Sequence, residues 1–166
     1  MNRYSSEIRD VYWILKREFA KNRMPVVELI ETQTKDPFKV LVATMLSART
    51  KDETTAAASQ RLFAHVNTQA ELSKLSISEI ERLIFPVGFY HVKARHLKKL
   101  PCVLLELFGG NVPQTVEELI RLPGVGRKTA NLVVAVAFNK PAVCVDVHVH
   151  RIFNRLGYLV TRNPLE

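Results

Sequence analysis

Two residues of this chain have the types and the setting to do covalent chemistry, a lysine at 128 and an aspartate at 146. Lys128 lies in the run Leu122-Pro123-Gly124-Val125-Gly126-Arg127-Lys128-Thr129-Ala130-Asn131, in which Pro and Gly break the chain between apolar periodic segments. Two glycines around one valine allow a tight turn with a bare backbone. The N–H groups of Gly124, Val125 and Gly126, with the N-terminus of the next helix and Arg127, would then suit one phosphate of a nucleic-acid backbone. A free lysine is protonated at neutral pH and is no nucleophile. In the first turn of a helix, beside Arg127 and in a desolvated cleft, the ammonium form of Lys128 is disfavoured, and a neutral amine can form a Schiff base. The same lysine can equally face solvent or bind phosphate, and spacing alone does not choose. Asp146 sits between Val145 and Val147, where an ionised carboxylate needs a purpose. Capping the following helix is the ordinary one.

The elements that must hold these groups read as all helical. Residues 5–20 place Ile8, Val11, Tyr12, Leu15 and Phe19 at spacings of three and four. Residues 37–46 form a more apolar segment suited to a buried helix. Asp52 is expected to cap the next, to about His65. Ser76 starts another with Glu79 in the capping-box position, ended by Pro86 and Gly88. A long basic helix follows over 90–108, closed by Gly109-Gly110. Thr115 with Glu118 opens the first helix of the hairpin, residues 128–138 form the second, and Asp146 opens a last helix to Leu156. The alternation over 143–149 has no partner strand elsewhere.

At 166 residues with 47% hydrophobic content the chain can bury a core, and one domain or two small lobes is the expectation. No stretch approaches the ~20 apolar residues of a membrane span, and the first ten residues are too polar for a secretory signal. A cytoplasmic, nucleoid-associated location is expected, with a nuclear one left open. The net charge of +8 favours a polyanionic partner. Its distribution says more. No acid lies between Glu81 and Glu106, a span with Arg82, Lys93, Arg95, Lys98 and Lys99, nor between Glu118 and Asp146, a span with Arg121, Arg127, Lys128 and Lys140. These stretches read as a DNA face or, more plainly, as solvated helix surfaces. Cys102 and Cys144 offer neither a disulfide framework nor metal-ligand spacing, and the five histidines add none.

The hairpin with Lys128 in register, followed by Val145-Asp146-Val147-His148, resembles the helix-hairpin-helix superfamily of DNA glycosylases, close to its endonuclease III-like members. The resemblance extends through Asp36-Pro37-Phe38, Leu46-Ser47-Ala48, Gly88-Phe89-Tyr90 and Lys93-Ala94, over roughly residues 5–160. It implies an all-α, two-lobed bundle. Residues 1–24 would belong to the second lobe, 25–140 would form a helical domain with the hairpin at 115–138, and 141–166 would begin the rest of the second lobe, here incomplete. Relatives often hold a [4Fe–4S] cluster on four C-terminal cysteines, which this sequence lacks. Either the protein has no cluster or the chain is a fragment. The ending Asn163-Pro164-Leu165-Glu166 reads as the start of a further helix and favours the fragment, and part of the apolar face of the first helix should then be exposed.

The resemblance also implies roles. Lys128 would attack C1′ of a deoxyribose, expel the base and form a Schiff base, and β-elimination would nick the strand. Asp146 would stabilise the developing positive charge on the sugar and help to move protons. Leu122 and Val125 hold the positions whose carbonyls bind an alkali-metal ion, K+ or Na+, that bridges to phosphate. Arg49 and Phe89 match the positions that fill the gap left by a flipped nucleotide, although relatives commonly carry glutamine and leucine there. His148 would bind a phosphate or support the site, with a purely structural role left open, whereas His91 and His96 are expected in solvent. The expected activity is that of a bifunctional glycosylase and AP lyase acting as a monomer on duplex DNA with oxidised pyrimidines or abasic sites, without a redox cofactor. A mismatch or alkylated-base glycosylase and a non-catalytic DNA-binding module are the alternatives.

Overall fold

The computed structural model describes residues 3–21 and 24–164. The described residues form ten helices and no strand: α1 (Arg3–Phe19), α2 (Val26–Thr34), α3 (Pro37–Ser47), α4 (Asp52–Phe63), α5 (Gln69–Lys74), α6 (Ile77–Ile84), α7 (Tyr90–Phe108), α8 (Val116–Leu119), α9 (Arg127–Phe138) and α10 (Val147–Arg155). The chain divides into two compact units, one of Met1–Met24 with Val145–Glu166 and one of Pro25–Cys144.

The larger unit is built around α3. Asp36 accepts the Phe38 N–H at 2.9 Å, Pro37 takes the first turn, and eight of its eleven residues are buried. One core gathers Leu41, Met45 and Leu46 of α3 with Leu62, Ile80, Ile84, Leu97, Leu100 and Leu104, and extends to Leu119, Leu122, Ala130 and Val133 of the hairpin. A second cluster sets Val26, Val27 and Ile30 of α2 against Val40 and Ala43, with Leu132 and Val136 of α9 at its edge. The hairpin is therefore rooted in both cores.

Local signals act much as their chemistry dictates. Ser76 and Glu79 form the full capping box. Thr115 accepts the Glu118 N–H, and its hydroxyl donates to Glu118 Oε2 at 2.7 Å. Gly109 ends α7 in the left-handed conformation, φ +59°. Two expectations are corrected. Lys51, not Asp52, is the N-cap of α4, and the Asp52 carboxylate accepts the Val26 N–H at 3.4 Å instead. Helices α2 and α5 are additional, because both are too short and weakly patterned to signal themselves. Pro25 precedes α2 and Thr68 with Glu71 forms a capping box on α5.

In the smaller unit Asp146 caps α10, and the segment beyond that helix is tied back by Asn154, which exchanges hydrogen bonds with Thr161 at 3.0 and 3.1 Å. On α1, Tyr12, Trp13, Leu15 and Phe19 are all more than half exposed. The helix start read at 163–166 falls partly outside the described residues.

Candidate functional site

The hairpin joins α8 to α9 through a turn whose apolar residues point inward. Leu122 and Val125 are buried, whereas Gly124, Gly126, Arg127 and Lys128 are exposed. The Val125 N–H is used within the turn, donating to the Leu122 carbonyl at 3.2 Å. That carbonyl keeps its second lone pair. Gly124 has φ +76°, and a Cβ there would run into the imidazole of His96, so glycine is required twice over. Gly126 is the N-cap of α9 and provides no side-chain acceptor to its first turn, where Lys128 is the second residue. Lys128 thus stands in the first helical turn as its register predicts, but in the open rather than in the desolvated setting expected. Cys144 Sγ lies 3.6 Å from the Lys128 carbonyl.

A second group of residues lies at the junction of α3, α7 and the hairpin. Arg49, φ +54°, and Phe89, φ +59°, are both left-handed and both exposed, and the guanidinium carbon sits 5.4 Å from the centre of the ring. They border an open depression of about 250 Å³ lined also by Met45, Val92, Lys93, His96 and Gly124. His96 is half-buried against the hairpin, a correction to its expected place in solvent that follows from the close approach of α7 to Gly124. His91 is exposed, 2.8 Å from Glu81.

Sequence reasoning counts Lys93 as one charge of a basic stretch and as part of the family resemblance, and gives it no role of its own. It is in fact only 8% exposed, and its Nζ donates to the carbonyls of Leu46 at 2.7 Å and Ala48 at 2.6 Å and to Thr50 Oγ1 at 3.3 Å. Burial pushes its pKa down from 10.5 to about 8. Its register with Leu97, Leu100 and Leu104 puts it on the core stripe of α7, the one signal that could have found it. Lys98 is similarly committed, to the carbonyls of Ser73 and Leu75 at 2.7 and 2.6 Å. Arg61 donates to the Leu83 carbonyl at 3.0 Å and to that of Phe85. Each of these cations serves the C-terminal end of a neighbouring helix, where carbonyls lack intrahelical donors. Two cations of the basic stretch on α7 are therefore structural, which leaves Arg95 and Lys99 exposed on that helix.

In the smaller unit, Asp146 Oδ1 accepts from the N–H groups of His148 and Val149, both at 2.9 Å. His148 is exposed, with Nδ1 3.2 Å from Arg151 Nη2. No group of three or more His, Cys, Asp or Glu among the described residues can hold a metal. The two cysteines fall short of the four thiolates that a [4Fe–4S] cluster takes, so the residues present do not fit that group.

A turn rooted in the core that joins two helices, with uncapped helix amides and an exposed lysine beside them, defines a helix-hairpin-helix protein. Residues 42–165 match the HhH-GPD superfamily of base excision DNA repair proteins, and the chain belongs to that superfamily. It is 51% identical over 131 residues to endonuclease III of Thermotoga maritima, an alignment covering 79% of this chain and 62% of the relative. It is 41% identical over 122 residues to endonuclease III of Bacillus subtilis, covering 74% and 56%. The fold superposes on a non-covalent endonuclease III–DNA complex with a TM-score of 0.81 at 37% identity, over 93% of this chain and 70% of that one. The chain thus spans about three fifths of the length of these two bacterial relatives.

Proposed function

We propose that the protein is a DNA glycosylase with AP-lyase activity that acts on duplex DNA carrying damaged bases, oxidised pyrimidines foremost. One observation carries this reading: an exposed amine, Lys128, in the uncapped first turn of α9 directly behind the Gly124–Gly126 turn. A phosphate held at the turn would bring the adjoining sugar to the amine. Kinship supports the covalent step, since the fold also superposes, with a TM-score of 0.71 at 38% identity, on a trapped endonuclease III–DNA covalent intermediate.

The chemistry proceeds as follows. Lys128 Nζ, as the neutral amine, attacks C1′ of the flipped nucleotide while the glycosidic C–N bond breaks and the base leaves with a proton. The sugar ring opens as the C1′–O4′ bond breaks, which gives an imine between Nζ and C1′. Loss of a proton from C2′ then expels the 3′ phosphate by β-elimination, and water hydrolyses the imine to restore the lysine. Asp146 stabilises positive charge on the sugar and shuttles protons. Arg127 and the amides of the hairpin other than that of Val125, which is used within the turn, hold the phosphate, the Leu122 and Val125 carbonyls would suit an alkali-metal ion, Arg49 and Phe89 fill the gap and His148 contacts the backbone.

Borohydride trapping on a duplex with a single abasic site tests the reading. The expected result is a covalent adduct with the parent chain and none with Lys128→Ala. A folded, DNA-binding parent that yields no adduct would overturn the lyase and leave a binding module.

A further inference from the structure

We infer that Lys93 is a positioning residue that presents Arg49 and Phe89 to the DNA as one rigid pair. The inference rests on the proposed gap-filling role of that pair. Its basis is the way a single residue grips both turns. The backbone N–H of Lys93 donates to the Phe89 carbonyl at 3.0 Å, while its side chain reaches across to the turn that carries Arg49. There the ammonium takes the carbonyl of Ala48, the residue before Arg49, and the hydroxyl of Thr50, the residue after it. Its third acceptor, the Leu46 carbonyl, lies in the last turn of α3. The three N–H donors of the ammonium are thus matched by three acceptors that bracket the turn.

Thr50 closes the arrangement. Its hydroxyl oxygen also accepts the Gly88 N–H at 3.1 Å, which joins the Arg49 turn to the residue preceding Phe89. The two turns touch so closely that a Cβ on Gly88 would lie 2.5 Å from the Arg49 carbonyl oxygen. Arg49 and Phe89 each hold a left-handed conformation that a residue with a Cβ adopts only at a cost, and such strain persists only where the surroundings impose it. Leaving a buried ammonium beside these turns is itself unfavourable unless its donors are satisfied. Both costs are incurred at one place, and their common product is the 5.4 Å pairing of a cationic and an aromatic side chain at the rim of the depression. Without the ammonium, the carbonyls of Leu46 and Ala48 lose this donor and the turn is free to relax to an ordinary right-handed geometry.

The test uses the full chain and a duplex bearing a tetrahydrofuran abasic analogue with 2-aminopurine in the opposite strand, so that no covalent step enters. Fluorescence of the opposite base reports how the pair engages the gap, and affinity for undamaged duplex reports the backbone grip. Lys93→Met is expected to keep its thermal transition and to hold undamaged-duplex affinity within about twofold. Its fluorescence response should fall to that of Arg49→Ala, with single-turnover base excision slowed about tenfold or more, as expected for misplaced groups far from the chemistry. Thr50→Val, which removes the shared acceptor and leaves the ammonium in place, should give an intermediate response and serves if Lys93→Met does not fold. A parent-like signal from both folded variants would overturn the positioning role. If Arg49→Ala and Phe89→Ala also leave the signal unchanged, the gap-filling reading falls with it.

Discussion

Asp146 and Lys93 are each engaged by main-chain groups, and single substitutions separate that structural duty from the roles proposed for them. Asp146 Oδ1 accepts two amides at the start of α10. Replacement by alanine should cost about 0.5–2 kcal/mol of stability in a denaturant titration, the usual range for a lost N-cap. Asp146→Asn keeps an acceptor oxygen but no charge. Its stability should stay near that of the parent while base excision drops, and a loss of both in equal measure would mean that the carboxylate serves only as a cap. For Lys93 the folded-state pKa, about 8, lies below its ordinary 10.5. Between those values the unfolded chain binds a proton that the folded chain does not, so this group's contribution to stability rises with pH across that window. Below pH 8 the full cost of burying the charge is present. The stability difference between parent and Lys93→Met should therefore shift in favour of the parent from pH 8 to 10.5, as read by chemical denaturation. A shift the other way would show that the three acceptors outweigh burial.

At the scale of elements, the hairpin depends on the long helix that precedes it, α7. Gly124 is required by its own φ of +76° and by the imidazole of His96 on α7. Gly124→Ala meets both obstacles, and a loss of roughly 1–3 kcal/mol with weakened DNA binding is expected from the left-handed strain and the overlap together. The second obstacle is removable. Combining Gly124→Ala with His96→Ala should recover part of the stability but not the part owed to φ, so a double-mutant cycle measures the coupling of α7 to the hairpin. Strict additivity would show that α7 does not brace the turn. The same long helix supplies Lys93 and Lys98 to the C-terminal ends of α3 and α5, so α7 organises three of its neighbours.

For the whole molecule the decisive quantity is where the net charge of +8 is available. Lys93, Lys98 and Arg61 are spent on carbonyls, whereas Arg95, Lys99 and Arg127 stand exposed. If the exposed set meets phosphates, Arg95→Gln with Lys99→Gln should weaken binding to any duplex. It should also flatten the plot of log affinity against log salt by up to about 0.9 for each phosphate no longer neutralised. Lys98→Gln should leave that slope unchanged and lower stability instead, because its donors go to the Ser73 and Leu75 carbonyls. A slope that responds equally to all three positions would contradict the division.

What the sequence determined by itself is the local grammar. The helical class, the hairpin register that puts Lys128 in the first turn of α9, the cap at Asp146 and the box at Ser76 and Glu79 all follow from residues within four positions of one another, where Gly, Pro and capping side chains act directly on the backbone. Tertiary structure decided the rest. It set Arg49 against Phe89, brought His96 to Gly124, and turned Lys93 and Lys98 from members of a basic surface into internal donors. It also settled two helices, α2 and α5, whose patterns were too brief to stand alone. The physical reason is that the acceptors of these lysines, Thr50 Oγ1 apart, are main-chain carbonyls 23 to 47 residues away. Every residue carries such a carbonyl, so no side-chain type marks where a distant cation will be received until the helices have packed.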